Sequence, residues 1–186
     1  MKKRIFLFLA FAACLTFISV GFLTTTSFAK TANEIDAEVD AVLNLFPQYV
    51  KGGKEFLNTA KGVLIIPNIL KAGLVLGGEY GEGALRIDGK TVDYYSLAAG
   101  SLGFQIGAQK TNLILVFMEE EALRIFRKSY GWKAGVDGSV AFIDVGAAKS
   151  LDTIDINHPV VAFLFGQRGL MAKATIEGSK FTKLVR

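Results

Sequence analysis

Apolar and polar positions along this chain follow two periods in succession. Over residues 31–46, Ile35, Val39, Val42 and Phe46 recur at helical spacing with Leu43 beside them, and Glu34, Asp36, Glu38 and Asp40 take the opposite side and the early turns. This predicts an amphipathic helix capped by Asn33 and stopped by Pro47. A shorter helical piece is expected over 49–59, weakened by Gly52-Gly53. From Lys61 onward the period becomes that of strand. Residues 63–66, 74–80, 84–87 and 92–97 are predicted strands, and Asp88-Gly89 fits a hairpin turn between the last two. Residues 101–109 form a glycine-spaced strand and 112–118 a continuous apolar one. Residues 119–130 read as a helix, acidic at its start and basic at its end, with Leu123, Phe126 and Tyr130 on one face and Gly131 as its stop. Strands over 134–145, 160–165 and 170–176 complete the pattern, with a polar loop over 149–159 and a hairpin turn at 166–169.

The segment 60–83 holds the sharpest conflict. It joins a Val/Ile/Leu run to Gly62, Gly73, Gly77, Gly78, Gly81 and Gly83. Glycine weakens a plain strand, so the two features agree only if the strand bends or if another backbone or a ligand comes close. A phosphate-cradling loop would open a helix with G-x-G-x-x-G or G-x-x-x-x-G-K-[ST]. Here strand-like residues 84–87 follow a G-x-x-G-x-G. The fold class is therefore α+β: short N-terminal helices, then a strongly curved, mostly antiparallel, glycine-rich and barrel-like sheet crossed by one helix.

Composition changes this picture only at the N-terminus. Lys2, Lys3 and Arg4 precede a charge-free apolar run from Ile5 to Leu23, and Ser27-Phe28-Ala29 has the small-x-small form of a cleavage site. Residues 1–29 read as a signal peptide and 30–186 as one domain, exported to the periplasm or envelope. The 19-residue run is roughly 28 Å long as a helix at ~1.5 Å per residue, close to a hydrocarbon core, so an uncleaved anchor is the alternative. Lipidation at Cys14 is a third variant, opposed by bulky Phe11 and by the apolar run beyond it. Residues 1–29 carry three of the 21 basic residues and none of the 17 acidic ones. The remainder is thus close to neutral, and the basic balance is no argument for a nucleic-acid partner. Cys14 is the sole cysteine, and if it leaves with the signal the mature chain has no disulfide and no thiol chemistry.

The segments 60–67 (A-K-G-V-L-I-I-P), 71–78 (K-A-G-L-V-L-G-G), 80–83 (Y-G-E-G), 101–109 (S-L-G-F-Q-I-G-A-Q), Gly169-Leu170 and 176–179 (I-E-G-S), in this order, resemble the SYLF domain family of lipid-binding domains. The resemblance runs from Ile35 to Leu184. It implies a domain that binds phospholipids or a membrane surface. Cytosolic eukaryotic relatives bind phosphoinositides, and some bind actin; bacterial relatives are exported. The segment matching the basic N-terminal helix of the eukaryotic relatives is acidic here. Neither phosphoinositide specificity nor actin is expected of an exported chain.

Few residues invite reaction chemistry. His158 is a lone histidine before Pro159. Ala99-Gly-Ser101-Leu-Gly103 has the outline of a nucleophile elbow, but Ala99 stands where glycine is required and strand residues follow. A hydrolase using Ser101 is a third reading, and a transmembrane barrel is a weaker fourth, opposed by residues 160–165, which are apolar on both faces. Glu79 and Glu82 differ by an odd spacing, point to opposite faces of a regular strand and read as turn and edge polarity. No catalytic residue, metal site or cofactor is predicted. The cations best placed for lipid headgroups are Lys51, Lys54, Lys61 and Lys71 near the helix-to-sheet junction, and Arg124, Arg127 and Lys128 on the second amphipathic helix. The expected function is exported, non-enzymatic lipid binding at a bacterial envelope membrane. The alternative is a structural or protein-interaction role with incidental lipid contact.

Overall fold

The computed structural model describes residues 29–73, 76–102, 109–145, 158–166 and 178–186. The leader with Cys14, the 103–108 part of the glycine-spaced strand, most of the 149–159 loop and the strand expected at 170–176 lie outside the described residues. Among the described residues, no helix is long and apolar enough to cross a membrane.

Helix α1 (Ala32–Tyr49) carries the apolar stripe that the spacing predicts, with Ile35, Val39, Val42 and Phe46 buried. Its cap is Thr31 rather than Asn33. The Glu34 N–H donates to Thr31 Oγ1 at 3.3 Å, and the Thr31 N–H donates to the Glu34 carboxylate at 2.7 Å. This reciprocal box satisfies two donors where Asn33 would satisfy one. Pro47 lies inside the helix instead of stopping it. In the last turn a proline removes a single N–H, and the helix ends at Tyr49. Helix α2 (Gly53–Leu57) follows.

Among the described residues, eight strands then form one curled, half-barrel sheet: β1 (Gly62–Gly73), β2 (Leu76–Ile87), β3 (Lys90–Leu102), β4 (Gln109–Phe117), β5 (Trp132–Lys133), β6 (Ala141–Asp144), β7 (Val160–Phe165) and β8 (Lys180–Leu184). Their order is β5-β8-β3-β2-β1-β4-β7-β6, antiparallel except for β6 on β7. Helix α3 (Glu120–Lys128) connects β4 to β5. The sheet is α+β as the periodicity implied, but its strands are longer. Residues 76–87 are one strand where two were expected. The expected 134–145 strand divides, because Gly135 takes a positive φ of 75° and a turn closes from Lys133 to Asp137 before β6. Asp88 and Gly89 take φ of 51° and 74° in the predicted hairpin turn.

Both faces of the sheet are covered, which explains why β7 and the 63–66 and 113–117 parts of β1 and β4 are apolar at every position. On one face, Val63, Ile65, Ile114, Val116 and Phe163 pack beneath α1 and α2. On the other, Leu64, Ile66, Leu113, Leu115 and Phe117 pack with Leu123 and Phe126 of α3. Phe126 is the hub of that side, with ring centroids 4.7 Å from Tyr95, 4.8 Å from Phe117 and 5.4 Å from Trp132. Tyr130, expected on the same helix face, lies past the helix end and is exposed.

The glycine conflict resolves as close backbone approach. The β1–β2 register shifts between Ile65 and Leu70. There Gly83 faces the Ile65 carbonyl so closely that a Cβ would overlap it. A side chain at 83 would exclude the bulged path of β1.

Candidate functional site

The C-terminal half of α1, helix α2, the start of β1 and the β2–β3 turn enclose a groove of about 520 Å³. Leu43, Pro47, Leu57, Ala60, Val63 and Ile65 give it apolar walls, while Lys54, Arg86 and Asp88 stand along it. The sequence builds it simply. Helix α1 stays on the sheet through its 3.6-residue stripe, Pro47 and Gly52 turn the chain, and α2 closes over the near end. The volume is within the usual range for a small-molecule site, and an apolar lining with a few charges suits an amphiphile.

Arg86 anchors the polar edge. Its guanidinium forms an ion pair with Asp40 at 2.8 Å and lies 3.7 Å from Asp36. Asp36 also accepts from the Thr91 hydroxyl at 2.7 Å and the Tyr94 hydroxyl at 2.8 Å. Burial and then the bond to Asp36 push the Tyr94 phenol upward. Buried Arg86 Nε has no partner among the described residues. The acidic row of α1 thus holds the helix to β2, where the sequence suggested only a solvated polar side.

A second hollow lies over α3 and is bounded by Lys61, Arg124, Arg127, Lys128 and Lys183, with Glu120 and Glu121 among them. Much of its charge is already matched. Asp93 accepts from Arg127 at 2.9 Å and forms an ion pair with Lys183 at 2.5 Å, and Arg124 pairs with Glu121.

The seven predicted headgroup cations are therefore divided among four places. Lys54 lines the groove, and Lys51 is exposed in the turn between α1 and α2. Lys61 joins Arg124, Arg127 and Lys128 at the hollow. Lys71 stands apart: its side chain is 10% exposed and its Nζ is 2.7 Å from Glu79 Oε1, directly across β1–β2. Glu79 and Glu82 are buried in mid-strand rather than at an edge. Glu82 Oε1 accepts from the Tyr80 hydroxyl at 2.7 Å and from Arg186 at 2.9 Å. Arg86 and Lys183 were not picked out from the sequence. Arg86 was legible in principle, because Ala84 and Arg86 alternate onto the α1 face opposite the i, i+4 pair Asp36 and Asp40.

Ser101 lies within β3, opposite Gly77, and its side chain is outside the described residues. His158 does not line either depression. Among the described residues, no three or more His, Cys, Asp or Glu side chains are grouped to hold a metal ion.

A family model described as Ysc84, "Las17-binding protein actin regulator", matches residues 98–184, from β3 to the end of β8. No curated protein matches the chain.

Proposed function

The chain belongs to the SYLF domain family, and from that premise we propose that it is an exported, non-enzymatic lipid-binding protein that works at a bacterial envelope membrane. The observation that carries this reading is the groove between α1, α2 and β1, whose apolar walls suit an acyl chain and whose Lys54 and Arg86 suit an anionic or zwitterionic head. Magnitudes favour the apolar part. Six buried methylenes would contribute about 5 kcal/mol at ~0.8 kcal/mol each, against ~1 kcal/mol for each lysine near an anionic surface. Salt screens only the second contribution.

Vesicle flotation of the full chain with neutral and anionic lipids at two salt levels tests the reading. Partition that salt weakens only in part is expected. Failure to float with every lipid would refute it. In that case the family description as a protein-binding regulator favours the second reading, an envelope protein-interaction domain, which capture of a specific partner would support.

A further inference from the structure

At the β5 edge of the sheet two apolar side chains stand in the open: Tyr130 is 98% exposed and Val136 is 71% exposed. Val136 is held outward by a tight turn. The Val136 and Asp137 N–H groups both donate to the Lys133 carbonyl, at 3.2 and 2.9 Å, and the Lys133 N–H donates to the Asp137 carboxylate at 2.7 Å. Around them basic residues predominate, and the one acid of the turn, Asp137, has its carboxylate engaged by the Lys133 N–H. Residues 122–136 include Arg124, Arg127, Lys128 and Lys133 and no acid.

Strand pairing then sets Lys133 directly opposite Lys180, both exposed and neither with an ionic partner among the described residues. Like charges at that position repel, so the pair costs stability unless something anionic meets it. The stem of Lys180 also crosses Gly131, the neighbour of Tyr130, so closely that a Cβ there would strike it. Glycine at 131 therefore lets a lysine lie beside the exposed ring.

We propose that this rim, formed by Tyr130, Val136, Lys133 and Lys180, is the face by which the protein docks on an anionic bilayer, at a place separate from the groove. The inference rests on the lipid-binding reading. A bilayer fits better than other polyanions for a stated reason. A ring with a polar tip, a small apolar knob and flanking lysines suit the interface between headgroups and acyl chains. A nucleic acid gains nothing from Val136, and a folded partner calls for a broader apolar centre.

The test is flotation of the full chain on vesicles of neutral phosphatidylcholine, with and without one third phosphatidylglycerol. A heparin column and uptake of a fluorescent fatty acid run in parallel. The double variant K133A/K180A should bind anionic vesicles roughly thirtyfold less at low salt, about fivefold per lysine. The double variant Y130A/V136S should lose binding even where the lysines remain. Either variant floating like the parent overturns the proposal, as does a parent that binds heparin and no vesicle. Rim-dependent flotation without fatty-acid uptake would sink the groove reading and leave the rim. Uptake without rim dependence would do the reverse.

Discussion

Arg86 of β2 reaches across to Asp40 of α1 at 2.8 Å, with Asp36 at 3.7 Å behind it. The groove depends on this link, because it joins the helix that forms one wall to the strand that forms the other. Arg86 is only 17% exposed, but Asp40 is 56% exposed, so solvent screens much of the pair. An ion pair with a half-exposed partner is worth roughly 0.2–1 kcal/mol, so Arg86→Leu should lose about that much stability in denaturant unfolding. The same variant should loosen α1 and weaken amphiphile uptake. An unchanged midpoint would show that the stripe of Ile35, Val39, Val42 and Phe46 holds α1 unaided.

Gly83→Ala should be far more damaging than its one added methyl suggests. The new Cβ would overlap the Ile65 carbonyl, a backbone atom that cannot swing aside. A loss of more than about 3 kcal/mol is expected, in the range of severe overpacking. Gly89→Ala has open space around it and a φ of +74°, and should cost only about 1–2 kcal/mol. Denaturant midpoints that rank the two in the opposite order would contradict the close approach of β1 and β2.

The Lys71–Glu79 pair bridges the middle of the sheet with its side chains 10% and 1% exposed. Removing one partner of such a pair typically costs about 3–5 kcal/mol, whereas replacing both with apolar residues is often neutral. Lys71→Met should therefore destabilise, and K71M/E79L should recover most of the loss. Burial raises the Glu79 carboxyl above its ordinary value despite Lys71. The folded state then holds this proton more tightly than the unfolded one. Its contribution is full below the ordinary carboxyl pKa and is lost as pH rises through the raised value. Stability followed from pH 4 upward should show that fall in the wild type and not in Glu79→Gln.

Thr31→Ala removes the side-chain acceptor of the capping box at α1. About 1 kcal/mol of stability should go with it. Asn33→Ala should be nearly silent; a larger effect at 33 than at 31 would return the cap to the position that the sequence suggested.

Much of this architecture was legible in the chain. The α1 stripe, the hairpin at Asp88-Gly89, the acidic-to-basic polarity of α3 and the two-sided burial of β7 all follow from local period and turn chemistry. What was not legible depends on partners distant in sequence. Strand β8 has a single buried anchor, Phe181, and its neighbours are β3 and β5, more than forty residues away. Lys71 resembled its neighbouring lysines until the β1–β2 register set it opposite Glu79. Asp36 and Asp40 resembled a solvated face until Arg86, about fifty residues away in sequence, came to meet them. Period reveals which face a residue occupies, but only the pairing of strands reveals what lies across from it.

The most direct test of the account is saturable uptake of a fluorescent fatty acid by the full chain and by Ala60→Trp, which fills the groove from its partly exposed wall. The account predicts one saturable site in the parent, little weakened by salt, and its loss in A60W with the fold retained. No saturable uptake by the parent, or equal uptake by both proteins, would contradict it.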